Sequence, residues 1–255
     1  MAYEEKKKFY DNLLTVYGRN TVLEALQETD IPVYRLHLAK TNRAGGSLDK
    51  IIRIAEQRGI EISHHSREQL SRISRNQRQD QGVALDLQCP RYGDYRDFLK
   101  DATSHYQLIA LDGITNPQNL GMVIRSICAS PIQGLLLPSK GCAPLSPLVI
   151  KASAGAIFHC PIYRCHHLAE ALNEFIATGA QVCTLSADAR QTLSSFRADS
   201  PTVYVLGNET SGVSPAVAKL AQRQLGIPMC NGVESLNVAV TAALLAFRDV
   251  LSTTD

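Results

Sequence analysis

Two spacings of apolar residues alternate along this chain. Short runs with strand character (Val33 to Leu38, Ile60 to Ser63, Gly82 to Leu87) are separated by stretches whose apolar residues recur at helical intervals. Val22, Leu23, Ala25 and Leu26 predict a helix ending at Gln27, with Asn20 or Thr21 as its cap. Leu48, Ile51, Ile52 and Ile54 predict another over Ser47 to Gln57, stopped by Gly59, and Ser66 caps a short one reaching Ile73. Residues 16–88 therefore read as a small α/β domain, preceded by a polar, flexible N-terminus over residues 1–15. Residues 89–104, with Pro90, Gly93 and several charges, read as a linker with a short helix.

From residue 105 to 255 the alternation is more regular. Strands are predicted at Gln107 to Leu111, Leu135 to Leu137, Gln181 to Leu185, Thr202 to Leu206 and Gln224 to Ile227. Helices fall at Gln118 to Ala129, Leu145 to Ala152, Leu168 to Thr178, Ser214 to Ala221 and Asn237 to Leu251. Such alternation implies a parallel sheet with helices on both faces. The chain turns on one stretch here: after the apolar run Leu108 to Leu111, Asp112-Gly113 ends the strand. Asn116 then caps a helix with Pro117 at its first position and Leu120, Val123, Ile124 and Ile127 inward. That helix brings Asn119 and Arg125 near the carboxyl edge of the strand, where α/β sheets bind ligands.

Composition narrows the class. With 255 residues and 45% apolar content the chain can bury a proper core, and no apolar run approaches the roughly 20 residues of a membrane span. The charged start Met1 to Lys8 has no apolar segment behind it, so a cytoplasmic location is expected. Seven scattered cysteines without a C-x-x-C pair read as reduced, mostly buried thiols, and no metal site is expected. The paired histidines His64-His65 and His166-His167 are expected to point apart and to carry no chemistry. Net charge is only +2, but residues 1–100 hold 17 Lys/Arg against 14 Asp/Glu while the remainder holds 9 against 10. The basic excess clusters in Arg67, Arg72, Arg75 and Arg78, with glutamines interleaved, a pattern suited either to phosphate contacts or to a solvated helix end.

Two further stretches join the first: Val203-Tyr204-Val205-Leu206-Gly207-Asn208-Glu209-Thr210-Ser211-Gly212, and Ile227-Pro228-Met229 followed by Gly232-Val233-Glu234-Ser235-Leu236-Asn237. Gly207, directly after a strand, permits close backbone approach to a ligand. The glycine-rich loop lacks the Gly-Lys-Ser/Thr ending of a P-loop, which argues against triphosphate binding. In this order the three stretches resemble the motifs of the SpoU (TrmH-like) RNA ribose 2′-O-methyltransferases of the SPOUT superfamily. Residues 16–88 resemble the small substrate-binding domain that precedes the catalytic domain in many of them.

The resemblance implies a deep trefoil knot in the C-terminal domain, S-adenosylmethionine as cofactor, structured RNA as substrate with large-subunit rRNA favoured over tRNA, and a homodimer. It implies that Gly207, Ile227, Met229 and Leu236 hold the cofactor, and that Arg125, Asn119, Glu209, Ser235 and Asn237 form the catalytic group. Asn119 is expected to bond Arg125 or the substrate ribose, and Glu209 to orient Arg125 or take the proton. Arg125 in a dimer could serve a pocket built partly by the partner chain. A guanidinium, protonated below a pKa of about 12, is no ready base. Two roles stay open for it: transient deprotonation, or clamping an RNA phosphate so that the hydroxyl acidifies. Ribosomal drug resistance by the same chemistry, and a catalytically silent RNA-binding protein, are the alternative readings.

Overall fold

The structure is a computed structural model and describes residues 13–29, 31–43, 45–74, 79–89 and 91–252. It divides into two compact units, one comprising residues 1–90 with 145–147 and the other residues 91–144 with 148–255.

The N-terminal unit holds β1 (Leu13–Tyr17), α1 (Arg19–Gln27), β2 (Val33–Ala39), α2 (Ser47–Gln57), β3 (Glu61–His65), α3 (Arg67–Ser74) and β4 (Val83–Gln88). Its sheet runs β1-β4-β2-β3, with β4 antiparallel to β1 and β2, and β2 parallel to β3. The expectation of a flexible segment over residues 1–15 fails at its end. Leu13–Tyr17 is a strand whose burial alternates, with Leu14 and Val16 inward, and its register against β4 runs from Leu13↔Gln88 to Tyr17↔Ala84. Residues 1–12 lie outside the described residues. Ser66 does cap α3, through a reciprocal pair: Gln69 N–H donates to Ser66 Oγ at 3.2 Å, and Ser66 N–H to Gln69 Oε1 at 3.0 Å. Arg58 donates to the carbonyls of Leu26, Glu28, Thr29 and Ile31, satisfying the groups that α1 leaves unpaired where it ends.

The C-terminal unit holds β5 (Tyr92–Asp94), α4 (Tyr95–Asp101), β6 (Gln107–Asp112), α5 (Pro117–Cys128), β7 (Gly134–Pro138), α6 (Pro147–Ala152), a 3-10 turn (Ala156–Phe158), β8 (Ile162–Cys165), α7 (Leu168–Ala177), β9 (Gln181–Leu185), β10 (Gln191–Thr192), β11 (Thr202–Gly207), α8 (Pro215–Ala218), β12 (Arg223–Gly226) and α9 (Val238–Ser252). Eight strands form one wholly parallel sheet, in the order β10-β12-β9-β11-β6-β7-β8-β5. The five expected strands are present. β5, β8 and β10 have only three, four and two residues, too few for a period to show.

The segment read as a linker is largely part of this unit. β5 pairs with β8, Asp94 caps α4 by accepting from Arg96 N–H at 2.9 Å, and Tyr95 and Phe98 of α4 join Tyr106 and Phe175 in an aromatic cluster. Helix α6 starts at Pro147 rather than Leu145, consistent with a proline at the first helical position. Only Pro215–Ala218 of the expected Ser214 to Ala221 helix is α-helical; beyond it Leu220 N–H bonds Val217 O and Ala221 N–H bonds Ala218 O. Helices α5 and α9 pack on each other, and α5 approaches α6 at Gly121, where a Cβ would lie 2.8 Å from Val149 O and 2.9 Å from Ser153 N.

Candidate active site

Three loops leave the carboxyl ends of β6, β11 and β12 on one edge of the sheet. The first two are stitched together by polar groups. β6 and β11 pair to their last residues, Asp112 opposite Gly207. Beyond them Asn208 Nδ2 donates to Gly113 O at 3.0 Å, and Ser214 N–H donates to an Asp112 carboxylate oxygen at 2.6 Å. Asn208 Oδ1 also accepts from Thr210 N–H and Ser211 N–H, at 2.9 and 3.2 Å, and the main chains of Asn208 and Gly212 bond reciprocally. This folds the Gly207 to Ser214 loop back on itself. A Cβ on Gly207 would collide with the main chain of Gly212 and Val213, so the close backbone approach at this glycine is made by its own loop. Asp112 and Asn208 are structural members of the site that sequence reasoning passed over; the polar residue just beyond each strand end was the available signal.

Asn116 caps α5 as expected, its side chain accepting from Gln118 N–H at 2.8 Å and Asn119 N–H at 3.3 Å. Asn119 is buried, 8% exposed, so its amide must find partners inside the protein. It has two. Its Nδ2 donates to Glu209 Oε1, and its Oδ1 accepts from Asn237 Nδ2 at 3.1 Å. Asn237 in turn caps α9, its Oδ1 accepting from Ala239 N–H at 2.8 Å. One chain of hydrogen bonds, Asn237 to Asn119 to Glu209, thus joins all three motifs and ends on a carboxylate.

Arg125 stands apart from that chain. It is exposed on α5 and makes no side-chain hydrogen bond or ion pair with the described residues, so neither an Asn119–Arg125 bond nor an orienting Glu209–Arg125 pair is present. The reason is helical phase: six residues at about 100° each put Arg125 roughly 240° around the helix from Asn119. Ser235 is exposed in the loop before α9.

Ile227, Met229 and Leu236 are half-buried, and among the described residues the main chain from Pro228 to Leu236 makes one internal bond, Val233 N–H to Cys230 O at 3.2 Å. Apolar side chains beside unused main-chain donors and acceptors are what a purine ring requires. These residues therefore fit an adenosyl cofactor.

In the N-terminal unit Arg67 and Arg72 are exposed on α3, whereas Arg75 and Arg78 lie outside the described residues. Asp80, where an acid at a possible RNA contact looked anomalous, is buried and structural: it accepts from Gly82 N–H at 2.9 Å and from Ser74 Oγ at 3.1 Å. The histidine expectation is also revised. His65 meets His37 ring to ring at 2.9 Å, and His37 bonds Asp86 at 2.9 Å. His166 and His167 lie between β8 and α7, outside regular structure, with ring centroids 4.4 Å apart. Among the described residues no group of three His, Cys, Asp or Glu could hold a metal ion, and no helix is long and apolar enough to cross a membrane.

Fold and site together define an α/β protein whose ligand site lies at the carboxyl edge of a parallel sheet. Residues 106–247 match the SpoU rRNA Methylase family, and residues 15–93 match the RNA 2′-O ribose methyltransferase substrate-binding domain. The chain belongs to the SpoU family of RNA methyltransferases.

An uncharacterized tRNA/rRNA methyltransferase of Mycolicibacterium gilvum is 33% identical over 94% of this chain and 77% of its own length. A Bacillus subtilis protein named as a TrmH-family tRNA/rRNA methyltransferase is 31% identical over 91% and 93%. Among solved structures, the SpoU methyltransferase AviRb of Streptomyces viridochromogenes, in complex with AdoMet, has a TM-score of 0.62 at 21% identity, covering 98% of this chain and 94% of its own. An AdoMet-bound rRNA methyltransferase of Sinorhizobium meliloti scores 0.63 at 21% identity, covering 98% and 92%. At that identity the likeness concerns the fold.

Proposed function

We propose that this protein transfers the methyl group of S-adenosylmethionine to a ribose 2′-oxygen of structured RNA, with large-subunit rRNA favoured over tRNA as the substrate. The observation that carries the reading is the Asn237–Asn119–Glu209 chain, which gathers one residue from each motif at one sheet edge. The cofactor supplies a methyl group already activated on a sulfonium, so the protein's tasks are alignment and handling one proton. Ile227, Met229 and Leu236 with the surrounding main chain hold the adenosyl portion, and Gly207 shapes the loop beside it. Glu209, with one carboxylate oxygen engaged by Asn119, keeps its second to receive the hydroxyl proton. Arg125 clamps an RNA phosphate and stabilises the developing alkoxide, a role that fits a cation without an internal partner.

The working unit is a homodimer acting in the cytosol. Met122 on α5 and Val240 and Leu244 on α9 are 42%, 49% and 40% exposed, an apolar surface on the two helices that meet at Asn119 and Asn237. Arg125 lies one turn from Met122 on the exposed side of α5, where it can reach a pocket of the partner subunit. A reducing compartment suits the seven unpaired thiols, and burial pushes those of Cys89, Cys160, Cys165 and Cys183 up to about 12.

The test is methyl transfer from labelled S-adenosylmethionine to separated rRNA and tRNA from a host lacking the gene, beside Arg125→Ala. Label in the rRNA pool, protecting one position from alkaline cleavage and lost with the variant, is expected. Label on a base, or none with cofactor bound, overturns the ribose assignment. Leu244→Glu is expected to give monomers in sedimentation, and an unchanged mass would reject that interface.

A further inference from the structure

In the N-terminal unit, the topology collects polar residues at one end of the sheet. Gly18-Arg19 follows β1, Thr41 to Arg43 follow β2, and Arg67 opens α3 just after β3. Because β4 runs antiparallel to β1 and β2, Gln81, which precedes it, arrives at the same end. Arg19, Thr41, Asn42, Arg43, Arg67 and Gln81 line a cleft of about 500 Å³ there. Three guanidiniums line it and no carboxylate does; among the described residues no acid pairs with any of the three.

The walls are held in place. Asn42 Nδ2 donates to Gly82 O at 2.7 Å, Arg19 N–H donates to Gln81 Oε1 at 3.1 Å, and Gly18 N–H donates to Val83 O at 3.0 Å. Gln81 sits at a φ of 50°, a conformation L residues rarely adopt, and a Cβ on Gly82 would collide with the Asn42 amide. These bonds leave specific groups over. Gln81, its oxygen engaged, keeps an NH₂ donor; Asn42, its NH₂ engaged, keeps an acceptor oxygen.

We infer that this cleft binds one unpaired nucleotide of the RNA substrate, with the arginines on its phosphate and Gln81 and Asn42 on its base edge. The inference rests on the RNA-methyltransferase reading above and names how that RNA is held. Arginine forks match phosphate geometry, and a fixed donor beside a fixed acceptor complements a base edge. That edge is open only in a nucleotide that is not paired. The volume suits one nucleotide and is too small for a duplex.

The experiment uses the full chain and two fluorescent probes, an RNA hairpin with a single-stranded loop and a blunt duplex of its stem sequence, titrated over a range of salt. Arg43→Ala and Arg67→Ala are each expected to weaken hairpin binding about tenfold and to lower the slope of log K against log salt by about 0.7, the contribution of one single-strand phosphate. Duplex binding should hold within about twofold. Arg53→Ala on α2 removes the same charge away from the cleft and should leave both probes unchanged. An unchanged slope in both cleft variants, equal losses on hairpin and duplex, or no preference of the unmutated chain for the hairpin would each overturn the inference. Failure of the methyl-transfer reading would look different: no label transferred by the unmutated chain while the loop contacts persist. Arg125→Ala separates the two, since it should abolish transfer and keep loop binding.

Discussion

Asn237 donates its amide to Asn119 across 3.1 Å, tying the start of α9 to the first turn of α5 over 118 residues of chain. Asn119 passes the connection on to Glu209. Because Asn119 is buried and bonded at both ends of its amide, it is at once a structural and a functional residue. Asn119→Ala leaves a donor and a carboxylate without their partner, and a loss of about 1–3 kcal/mol is expected in urea unfolding. Asn119→Asp, which sets a carboxylate against Glu209, should be worse than the alanine variant despite its similar shape.

Arg125 should behave in the opposite way. Exposed and without an internal partner, it can be replaced by alanine or lysine with stability changed by less than about 0.5 kcal/mol. Methyl transfer, however, should fall by about 10²–10⁴ in Arg125→Ala, and Arg125→Lys should recover little of it, since an ammonium lacks the fork. Near-normal turnover with lysine would remove any specific guanidinium role.

Gly121 tests how tightly α5 must approach α6. Alanine is favoured over glycine in a helix by about 1 kcal/mol. Here its Cβ would press on Ala152 and on main-chain atoms of Val149 and Ser153, which cannot swing aside as a side chain could. Overpacking of about 1–3 kcal/mol should win, and Gly121→Ala should lower the melting temperature.

His65 gives the N-terminal unit a pH dependence. Burial, then His37 and the neighbouring Arg35, His64 and Lys40, hold its pKa below the ordinary 6.5. The folded chain therefore resists a proton that the unfolded chain accepts, so stability falls as pH drops from 6.5 toward the folded value and levels off below it. Glu174 and Asp249 are also shifted downward, but their contributions are lost only near or below 4.5 and 3.8. Urea midpoints measured between about pH 7.5 and 5.5 should decline for the unmutated chain and decline less for His65→Gln.

The chain's own residues determined the alternation of strands and helices, the Asn116-Pro117 start of α5, the parallel sheet and the three polar stretches at its edge. Each follows from local spacing or local capping, which a few neighbouring residues carry by themselves. Short strands were not legible for the same reason: Gln191–Thr192 and Tyr92–Asp94 have no period of their own and exist because a neighbouring strand offers its open edge. Tertiary structure alone decided which polar residues meet. Asn119 and Arg125 share one helix and one stretch of sequence, yet phase and packing turn the first into the core toward Glu209 and Asn237 and leave the second in solvent. Arg19, Arg43 and Arg67 are scattered among ordinary surface charges in the sequence, and only the antiparallel return of β4 brings Gln81 to the sheet end where they stand. Contacts over such separations depend on strand order and register, which no local pattern encodes.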